Sequence, residues 1–168
     1  MADIIELIYA DHDWFRRQFF LLDEASNVAE LDAIWEPLAT RLDIHAEAEE
    51  TVFYPALLKL GGKEGDPEDE TEDAISDHNS IREAVRAAGE HETGSDEWFE
   101  AVGKARTENG EHLDEEEREG MPDFIKSASR EVRHELAMQW LRFWRQHPEG
   151  KGIDTSERDP EEYIAANS

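Results

Sequence analysis

The sequence predicts an all-α protein, an antiparallel up-down four-helix bundle with a C-terminal helical extension. Apolar residues recur at steps of three and four through five long segments. No segment of useful length alternates with period two, and 168 residues fit a single domain with its own core. We expect residues 1–147 to form the bundle and its C-terminal helix. Residues 148–168, which are acidic and poor in apolar side chains, are expected to be a disordered or loosely attached tail.

The first two predicted helices cover about residues 3–26 and 29–60. Positions three or four apart share one face of a helix, here called the seam. Pro37 and Pro55 lie inside the second segment, and we expect a kink or break near each of them. An acidic loop is predicted to follow over residues 63–70. The seam positions of these two segments are Ile5, Ile8, His12, Phe15, Phe19, Leu22, Leu31, Trp35, Leu38, Leu42, His45, Glu49, Val52 and Ala56.

The next three segments cover about residues 71–89, 95–119 and 123–147. Ser95 is a suitable N-cap, because its hydroxyl can accept a hydrogen bond from a free N–H of the first helical turn. Pro122, with the glycine two residues before it, is expected to bend or stop that helix. The last segment either continues it after a kink or packs as a separate helix. The seam positions are Ala74, His78, Ile81, Val85, Ala88, Trp98, Val102, Ala105, Asn109, His112, Glu116, Ile125, Ala128, Val132, Leu136, Trp140 and Phe143.

The composition excludes several classes of protein. With no cysteine, the chain cannot form disulfides, thiolate metal sites or cysteine nucleophiles. Its 43 Asp and Glu against 17 Lys and Arg give a formal net charge of −26, which disfavours binding to nucleic acid or to anionic membranes. No apolar run is long enough for a membrane span, and the N-terminus has no signal-peptide pattern. We therefore expect a cytoplasmic protein that binds neither nucleic acid nor membrane.

Six polar residues interrupt the apolar seams. A buried carboxylate or imidazole is costly unless it has a partner or binds a metal. A single buried histidine would be interpreted as an ordinary core residue with a hydrogen bond. Six such residues, with at least one on each of four helices, indicate a shared polar site inside the bundle. They are His12, His45, Glu49, His78, His112 and Glu116.

These residues belong to an internal repeat. In the first half, an Asp-His pair ending at His12 is followed 33 residues later by His45 and then by a Glu-Glu pair. In the second half, an Asp-His pair ending at His78 is followed 34 residues later by His112 and another Glu-Glu pair. This repeat indicates a duplicated two-helix unit. Two such hairpins packed about a pseudo-twofold axis would bring four histidines and two glutamates to one point.

The spacing and the donor types indicate a metal site. His45 and Glu49, like His112 and Glu116, are one helical turn apart on the same face. Imidazole nitrogen with carboxylate oxygen suits iron or manganese and, less exclusively, zinc. Two bridging carboxylates, four histidines and a solvent-derived bridge account for most of the roughly twelve positions around two octahedral ions. Two metals therefore fit this set better than one. Ferritin-like proteins differ, because they use Glu-x-x-His with additional glutamates.

The six residues together resemble the hemerythrin-like family of HHE cation-binding domains, over about residues 3–147. The flanking sequences from Glu49 to Pro55 and from Glu116 to Pro122 also resemble that family. The resemblance implies a four-helix bundle that holds two non-haem iron ions, joined by carboxylates and an oxo or hydroxo bridge. Members of the family bind dioxygen reversibly, sense oxygen, iron or nitric oxide, or act on peroxide. The implied terminal ligands are His12, His45, His78 and His112, and the implied bridges are Glu49 and Glu116.

The chain departs from the oxygen-carrying members at one ligand. Those proteins use five histidines and two carboxylates, whereas Ala74 and Arg82 stand one turn before and after His78 and supply no fifth histidine. Simple reversible oxygen carriage is therefore disfavoured. Tyr54, which corresponds to Met121 in the repeat, is the candidate replacement ligand. Regular helical geometry turns it away from the glutamate face unless the helix is interrupted, and the alternative is a packing role.

The other polar candidates have more ordinary interpretations. Asn109, one turn before His112, either orients a ligand or makes an ordinary interhelical hydrogen bond. We expect His91, His134 and His147 on the surface, because they fall off the seams. Four glutamates beside the ligand positions are expected to be solvated charges: Glu47, Glu50, Glu115 and Glu117.

Three functions fit these observations. The first is a diiron oxidoreductase of peroxidase or catalase type, with nitric oxide as one candidate reductant, in defence against oxidative or nitrosative stress. The negative charge repels anions but not hydrogen peroxide, dioxygen or nitric oxide. The second is a non-catalytic sensor or store of dioxygen, nitric oxide or iron, and the third is a metal-free helical interaction protein. We expect a monomer, because no long apolar stripe is left once the bundle is assembled.

Overall fold

The computed structural model describes residues 1–62 and 65–168. Over these ranges the chain is helical without a β-strand, so the predicted all-α class is confirmed. The long helices α1, α2, α4 and α5 form the bundle, in which α1 packs on α2 and α4 packs on α5 as two hairpins. In chain order the helices are α1 (Ile4–Glu24), α2 (Val28–Ala48), α3 (Tyr54–Leu60), α4 (Pro67–Gly89), α5 (Asp96–Arg118), α6 (Gly120–Ser127), α7 (Arg130–Gln146) and α8 (Pro160–Asn167).

Short polar side chains begin several of these helices. The Ser95 hydroxyl accepts a hydrogen bond from the Trp98 N–H at 3.1 Å, which confirms Ser95 as the N-cap of α5. Asp3 and Asn27 cap α1 and α2 in the same way. Of the predicted acidic loop, residues 63–64 lie outside the described residues. The rest of that loop is shorter than predicted, because α4 already begins at the proline of its first turn.

The two prolines of the second predicted helix have different effects. α2 continues through Pro37 without a break, although this proline has no N–H to donate inside the helix. Directly before Pro55, the five-residue π-helical segment Glu49–Phe53 joins α2 to α3. The regular α-helical repeat is therefore interrupted at the second proline, as expected, and this interruption lies beside the predicted site.

Two apolar clusters fill the bundle, one on each side of the polar residues. On α1, His12 lies between Ile8, which belongs to one cluster, and Phe15, which belongs to the other. On α4, His78 lies in the same way between Ala74 and Ile81. A polar layer thus crosses the middle of the core, and apolar packing above and below it holds the helices that carry the histidines.

The segment after the bundle forms two helices and an ordered tail. α5 stops at Arg118, and the predicted helix over 123–147 is divided between α6 and α7, because the Ser129 hydroxyl caps a new helix start. Residues 148–168 are not disordered in the structure: α8 packs against α4 and α3, and Tyr163 packs on the apolar core. The expectation of disorder took account of composition and not of the individual contacts that the tail makes with the bundle. The domain boundary at residue 147 stays a prediction.

Over residues 1–62 and 65–168, no helix is long and apolar enough to cross a membrane.

Candidate metal centre

The six polar residues of the seams meet in the layer between the two apolar clusters. Each of them is at most 3% exposed. They come from four directions, because the two hairpins place α1, α2, α4 and α5 around the same point. α1 contributes His12 and α4 contributes His78. The other four come from the end of α2, the start of the π-helical segment and α5: His45, Glu49, His112 and Glu116.

The carboxylate of Glu49 lies between two pairs of histidines. Its Oε1 is 2.9 Å from His45 Nε2 and 3.9 Å from His12 Nε2. Its Oε2 is 3.1 Å from His78 Nε2 and 3.7 Å from His112 Nε2. Each oxygen therefore faces one pair, and two three-residue groups share this single carboxylate. An arrangement of this kind can hold two cations with one carboxylate between them.

Glu116 lies between His12 and Tyr54. Its Oε2 is 3.3 Å from His12 Nε2, and its Oε1 accepts a hydrogen bond of 2.9 Å from the Tyr54 hydroxyl. The sixth predicted ligand thus lies beside the predicted replacement for the missing histidine. The roles of these residues as ligands stay predictions, whereas their convergence is a feature of the fold.

Some of the polar atoms that face each other in this layer lack hydrogen-bond partners. Four of them are buried and unpaired within the described residues, and burying such atoms without partners is costly. Adjacent ligands of one ion, with bonds of about 2.0–2.2 Å, lie about 3 Å apart. Several donor separations in the layer match that value, so a cation fits the site. The four unpaired atoms are His12 Nε2, His45 Nε2, Glu49 Oε1 and Glu116 Oε2.

A carboxylate also faces the outward nitrogen of every one of the four histidines. Because an ionised carboxylate only accepts, each Nδ1 is the donor and each Nε2 is directed inwards. Such partners fix both the tautomer and the ring orientation of a metal ligand. The four pairs are His12 with Glu117 at 2.8 Å, His45 with Asp11 at 3.3 Å, His78 with Glu50 at 2.7 Å, and His112 with Asp77 at 3.4 Å.

These outer carboxylates follow the internal repeat. The aspartate before each first histidine faces the second histidine of its own half, and the second residue of each Glu-Glu pair faces the first histidine of the other half. The expectation that Glu50 and Glu117 are solvated is therefore wrong, since Glu50 is only 3% exposed and Glu117 contacts His12. Glu47 is also partly buried and pairs with Arg158, whereas Glu115 is exposed as expected.

Sequence reasoning missed these four partners, although the signal was present. All four outer carboxylates belong to the duplicated Asp-His and Glu-Glu pairs. The seam, however, includes only the positions of each helix that face the bundle core. Several of the few arginines in the chain then hold the outer carboxylates. Arg16 donates to Glu117 at 2.8 Å, Arg82 donates to Glu50 at 2.9 Å, and Arg41 pairs with Asp11.

Charge interactions in the layer shift the pKa values of its members. Burial alone would raise the pKa of Glu49, but the neighbouring histidines, His45 first, hold it well below its usual value. Burial alone would lower the pKa of His112, but hydrogen bonds to Asp77 and Glu49 raise it to about 10. Burial and the adjacent His112 lower the pKa of His78 to about 4.

The proximity of His112 contributes to the low pKa of His78. Their Nε2 atoms are 3.2 Å apart, so only one of the two rings can carry the positive charge. The neutral His78 keeps its proton on Nδ1 towards Glu50 and directs the lone pair of Nε2 inwards. The negative charge of Glu49 thus favours positive charge on the neighbouring rings. A bound metal ion would supply that positive charge in place of the protons.

Tyr54 faces this layer because of the π-helical segment. Its N–H donates to the Glu49 carbonyl five residues earlier, which is the hydrogen bond of a π turn. One wide turn therefore places Tyr54 on the same face as Glu49, which a regular α-helix would not do. The side chain is 1% exposed, and burial together with the charges of Glu116 and Glu49 raises the pKa of its hydroxyl well above the usual value. Asn109 is buried one turn before His112, and its orienting role stays a prediction.

A cavity of about 150 Å³ connects this layer to the surface. Tyr54, Ala74, His112 and Glu116 line its inner part. The small side chain of Ala74, where the sequence supplies no fifth histidine, leaves part of this space open. The remaining lining residues are all acidic: Asp69, Glu70, Asp73, Asp77, Glu115 and Glu119.

Comparison with known families agrees with this geometry. A family model described as the hemerythrin HHE cation binding domain matches residues 3–124. The matched range contains the four histidines, both inner glutamates and Tyr54, and it ends before α7 and α8. No curated protein and no solved structure matches the chain.

Proposed function

Because the chain belongs to the hemerythrin HHE cation-binding domain family, we propose that it is a non-haem diiron protein. His12 and His45 would hold one iron, and His78 and His112 would hold the other. Glu49 and Glu116 would be the shared carboxylates, together with an oxo or hydroxo bridge. The observation that supports this most is the position of Glu49, whose two oxygens each face one pair of histidines. Iron bound there supplies a redox change and an exchangeable position for a small ligand.

The protein's own residues do the remaining work. Each outer carboxylate faces the Nδ1–H group of one histidine and fixes the proton on that nitrogen. The inward Nε2 is thereby left free to bind a cation. The apolar clusters above and below exclude bulk water from the layer. Access is left to the acidic cavity, which repels anions and admits small neutral molecules.

We propose Tyr54 as the protein ligand that replaces the missing fifth histidine. Its hydroxyl oxygen is 2.9 Å from Glu116 Oε1, the separation of adjacent ligands on one ion. The raised pKa keeps the phenol protonated in the metal-free layer, and a bound cation would favour its loss of the proton.

The proposed reaction is the reduction or disproportionation of a small neutral oxidant, in the manner of a peroxidase or catalase. Hydrogen peroxide suits the size and the charge of the cavity, and nitric oxide is one candidate reductant. The alternative is a sensor or store of dioxygen, nitric oxide or iron without turnover. Both alternatives use the same centre, so the distinction between them is kinetic.

The experiment begins with metal analysis of purified protein, for which we expect two irons per chain. Peroxide is then added to the iron-loaded protein, and oxygen release and donor oxidation are followed. We expect turnover above free iron, and its loss in a Glu49→Ala/Glu116→Ala variant. The exposed Glu111 lies on the same helix as Glu116, so Glu111→Ala is the matched control and keeps its activity. A tyrosinate ligand adds a visible absorption band that Tyr54→Phe abolishes.

Other outcomes select other functions. Much less than two irons per chain would contradict the diiron proposal and favour a helical interaction protein. Two irons with reversible spectral changes but without turnover would favour the sensor or store. A ferric protein that lacks the visible band would rule out Tyr54 as a ligand and leave it as a hydrogen-bond donor to Glu116.

A further inference from the structure

The C-terminal segment contacts Glu50, the buried carboxylate that accepts the Nδ1 proton of His78. Arg158 pairs with Oε2 of this carboxylate, and Arg82 donates to both of its oxygens, to Oε1 at 2.9 Å and to Oε2 at 3.1 Å. Arg158 also donates to Glu47 at 2.7 Å. Two guanidinium groups from different parts of the chain thus fix one carboxylate, and this carboxylate orients a candidate iron ligand.

The tail holds the backbone of the same residue as well. The Tyr163 hydroxyl donates to the Glu50 carbonyl at 2.5 Å. In a π turn, the carbonyl of Glu50 would accept a hydrogen bond from the N–H of residue 55. That residue is Pro55, which has no N–H to donate. The interruption that brings Tyr54 to the centre therefore leaves an acceptor free, and α8 supplies its donor.

A third contact ties the tail to the helix that carries His78. The amide of Asn79 donates to the Arg158 carbonyl at 2.8 Å and accepts from the Arg158 N–H at 3.0 Å. Asn79 directly follows His78, so the tail is fixed to α4 beside the ligand that it affects. Backbone and side chain of Arg158 are therefore both constrained.

The contact between the Arg158 side chain and Glu50 compensates a buried negative charge. The carboxylate is 3% exposed, and a buried anion is costly without cations around it. If Arg158 is lost, Arg82 alone holds both oxygens of the carboxylate, which can then shift with Arg82 and away from His78. The ring then loses the partner that fixes its orientation, and metal affinity falls typically 10–100-fold when such a partner is lost.

We propose that residues 154–163 form a clamp in which Arg158, acting through Glu50, positions His78 for iron. Arg158 is a positioning residue, and the clamp lies outside the range matched by the family model. The inference rests on the proposed diiron function for its consequence, but the contact itself exists without metal. The expected effect of Arg158→Ala is iron release about tenfold faster.

The test compares full-length variants loaded with iron, using the rate of iron release to an excess of a coloured chelator. We expect faster release in Arg158→Ala, partial recovery in Arg158→Lys, and an intermediate rate in Tyr163→Phe. Arg145 is exposed on α7, so Arg145→Ala is the matched control and releases iron at the parental rate. The second readout is the Nδ1 proton signal of His78 in NMR spectra of metal-free protein, which Arg158→Ala shifts or broadens and Arg145→Ala leaves unchanged.

The two readouts separate the clamp from the diiron proposal. If the parent protein binds no iron, the diiron proposal fails and the NMR signal alone decides whether the clamp exists. If Arg158→Ala lowers the melting temperature but leaves both the release rate and the His78 signal unchanged, the tail only stabilises the fold and the clamp is wrong. The conservative Tyr163→Phe and Arg158→Lys variants keep the test valid if Arg158→Ala folds poorly.

Discussion

Carboxylates have two different roles around this centre. Glu49 and Glu116 face inwards, where their oxygens lie among imidazole nitrogens. The outer carboxylates accept hydrogen bonds from the Nδ1–H groups of the same imidazoles, on the opposite side of each ring. The difference between the roles comes from the direction of each side chain, since all of these residues carry the same charge. With a cation bound between the inward nitrogens, a centre built in this way would satisfy both nitrogens of every histidine.

Glu70 at the cavity gives a prediction about pH. Burial, and after it the hydrogen bond and charge of Glu119, raises the pKa of Glu70 to about 7 from 4.5. The folded protein therefore binds this proton more tightly than the unfolded chain, and the contribution of Glu70 to stability is lost as pH rises from about 4.5 to about 7. We expect Glu70→Gln to unfold at a higher temperature than the parent at pH 8, and to lose this part of the pH dependence.

The size of this effect is limited by solvent. Glu70 is only partly buried, so we expect a gain below about 1 kcal/mol at pH 8. Thermal unfolding at pH 5, 6, 7 and 8 measures it. Glu72→Gln removes the same charge from an exposed position of α4 and serves as the control. Equal gains in the two variants would show that the effect comes from net charge and not from the site.

A residue of the candidate site could be predicted from the sequence where its position on its own helix was enough to show that it is buried. His12, His45 and the other inner residues replace apolar residues on a seam, and the periodicity of one helix reveals that. Glu50 and Glu117 are one position off the seam, where an isolated helix is expected to be solvated. Only the approach of another helix, which carries a histidine, gives these carboxylates their partners, and it leaves Glu50 buried and Glu117 half-buried.

Among the elements, the π-helical segment shows most clearly what periodicity cannot predict. A repeat of 3.6 residues turns Tyr54 away from Glu49, and the interruption needed to reverse this could be suggested only from the following proline. The structure contains one wide turn, which places both side chains on one face. The clamp was missed for a related reason, because its contacts depend on Arg158 and Tyr163 reaching a distant residue.

Pro37 in α2 gives a prediction about helix stability. A proline inside a helix costs about 3 kcal/mol, because it removes a hydrogen bond and crowds the preceding turn. Its restriction of the unfolded chain offsets about 0.4–1 kcal/mol of that cost. We expect Pro37→Ala to raise the free energy of unfolding by about 2 kcal/mol, measured by urea denaturation. The side chain is exposed, so iron content should not change.

The control for this prediction is the neighbouring residue. Glu36→Ala places the same side chain at another exposed position of α2 and tests for propensity and charge alone. If Pro37→Ala is no more stable than the parent, α2 has already adapted to its proline by a local bend.

At the level of the whole molecule, positive charge is concentrated around the polar layer, whereas the surface is strongly acidic. The layer concentrates cations: arginines lie on the outer carboxylates, and the proposed irons lie inside. The rest of the surface is left with a large excess of acidic groups. Few basic residues remain to balance these charges, because only 17 Lys and Arg are present in the chain.

This imbalance predicts that salt stabilises the protein. Even if every Lys and Arg paired with one acid, 26 of the 43 Asp and Glu would remain uncompensated at neutral pH. Their repulsion opposes the compact state, and salt screens it: the Debye length falls from about 10 Å at 0.1 M to about 3 Å at 1 M. The buried ion pairs of the centre are screened much less than exposed charges. The melting temperature should therefore rise by several degrees between 0.1 M and 1 M NaCl, as measured by circular dichroism.

A general effect of solute on water must be separated from screening. Sucrose is uncharged and strengthens burial by exclusion from the protein surface, so it should not reproduce the steep rise that screening gives at low salt. Lowering the pH to about 5 leaves most carboxylates ionised, and the salt effect should persist there. At pH 3.5 many acids are protonated, the net charge falls in magnitude, and the salt dependence should weaken. A melting temperature that stays constant or falls with NaCl at neutral pH would mean that the screened ion pairs outweigh the repulsion, which the count of uncompensated acids argues against.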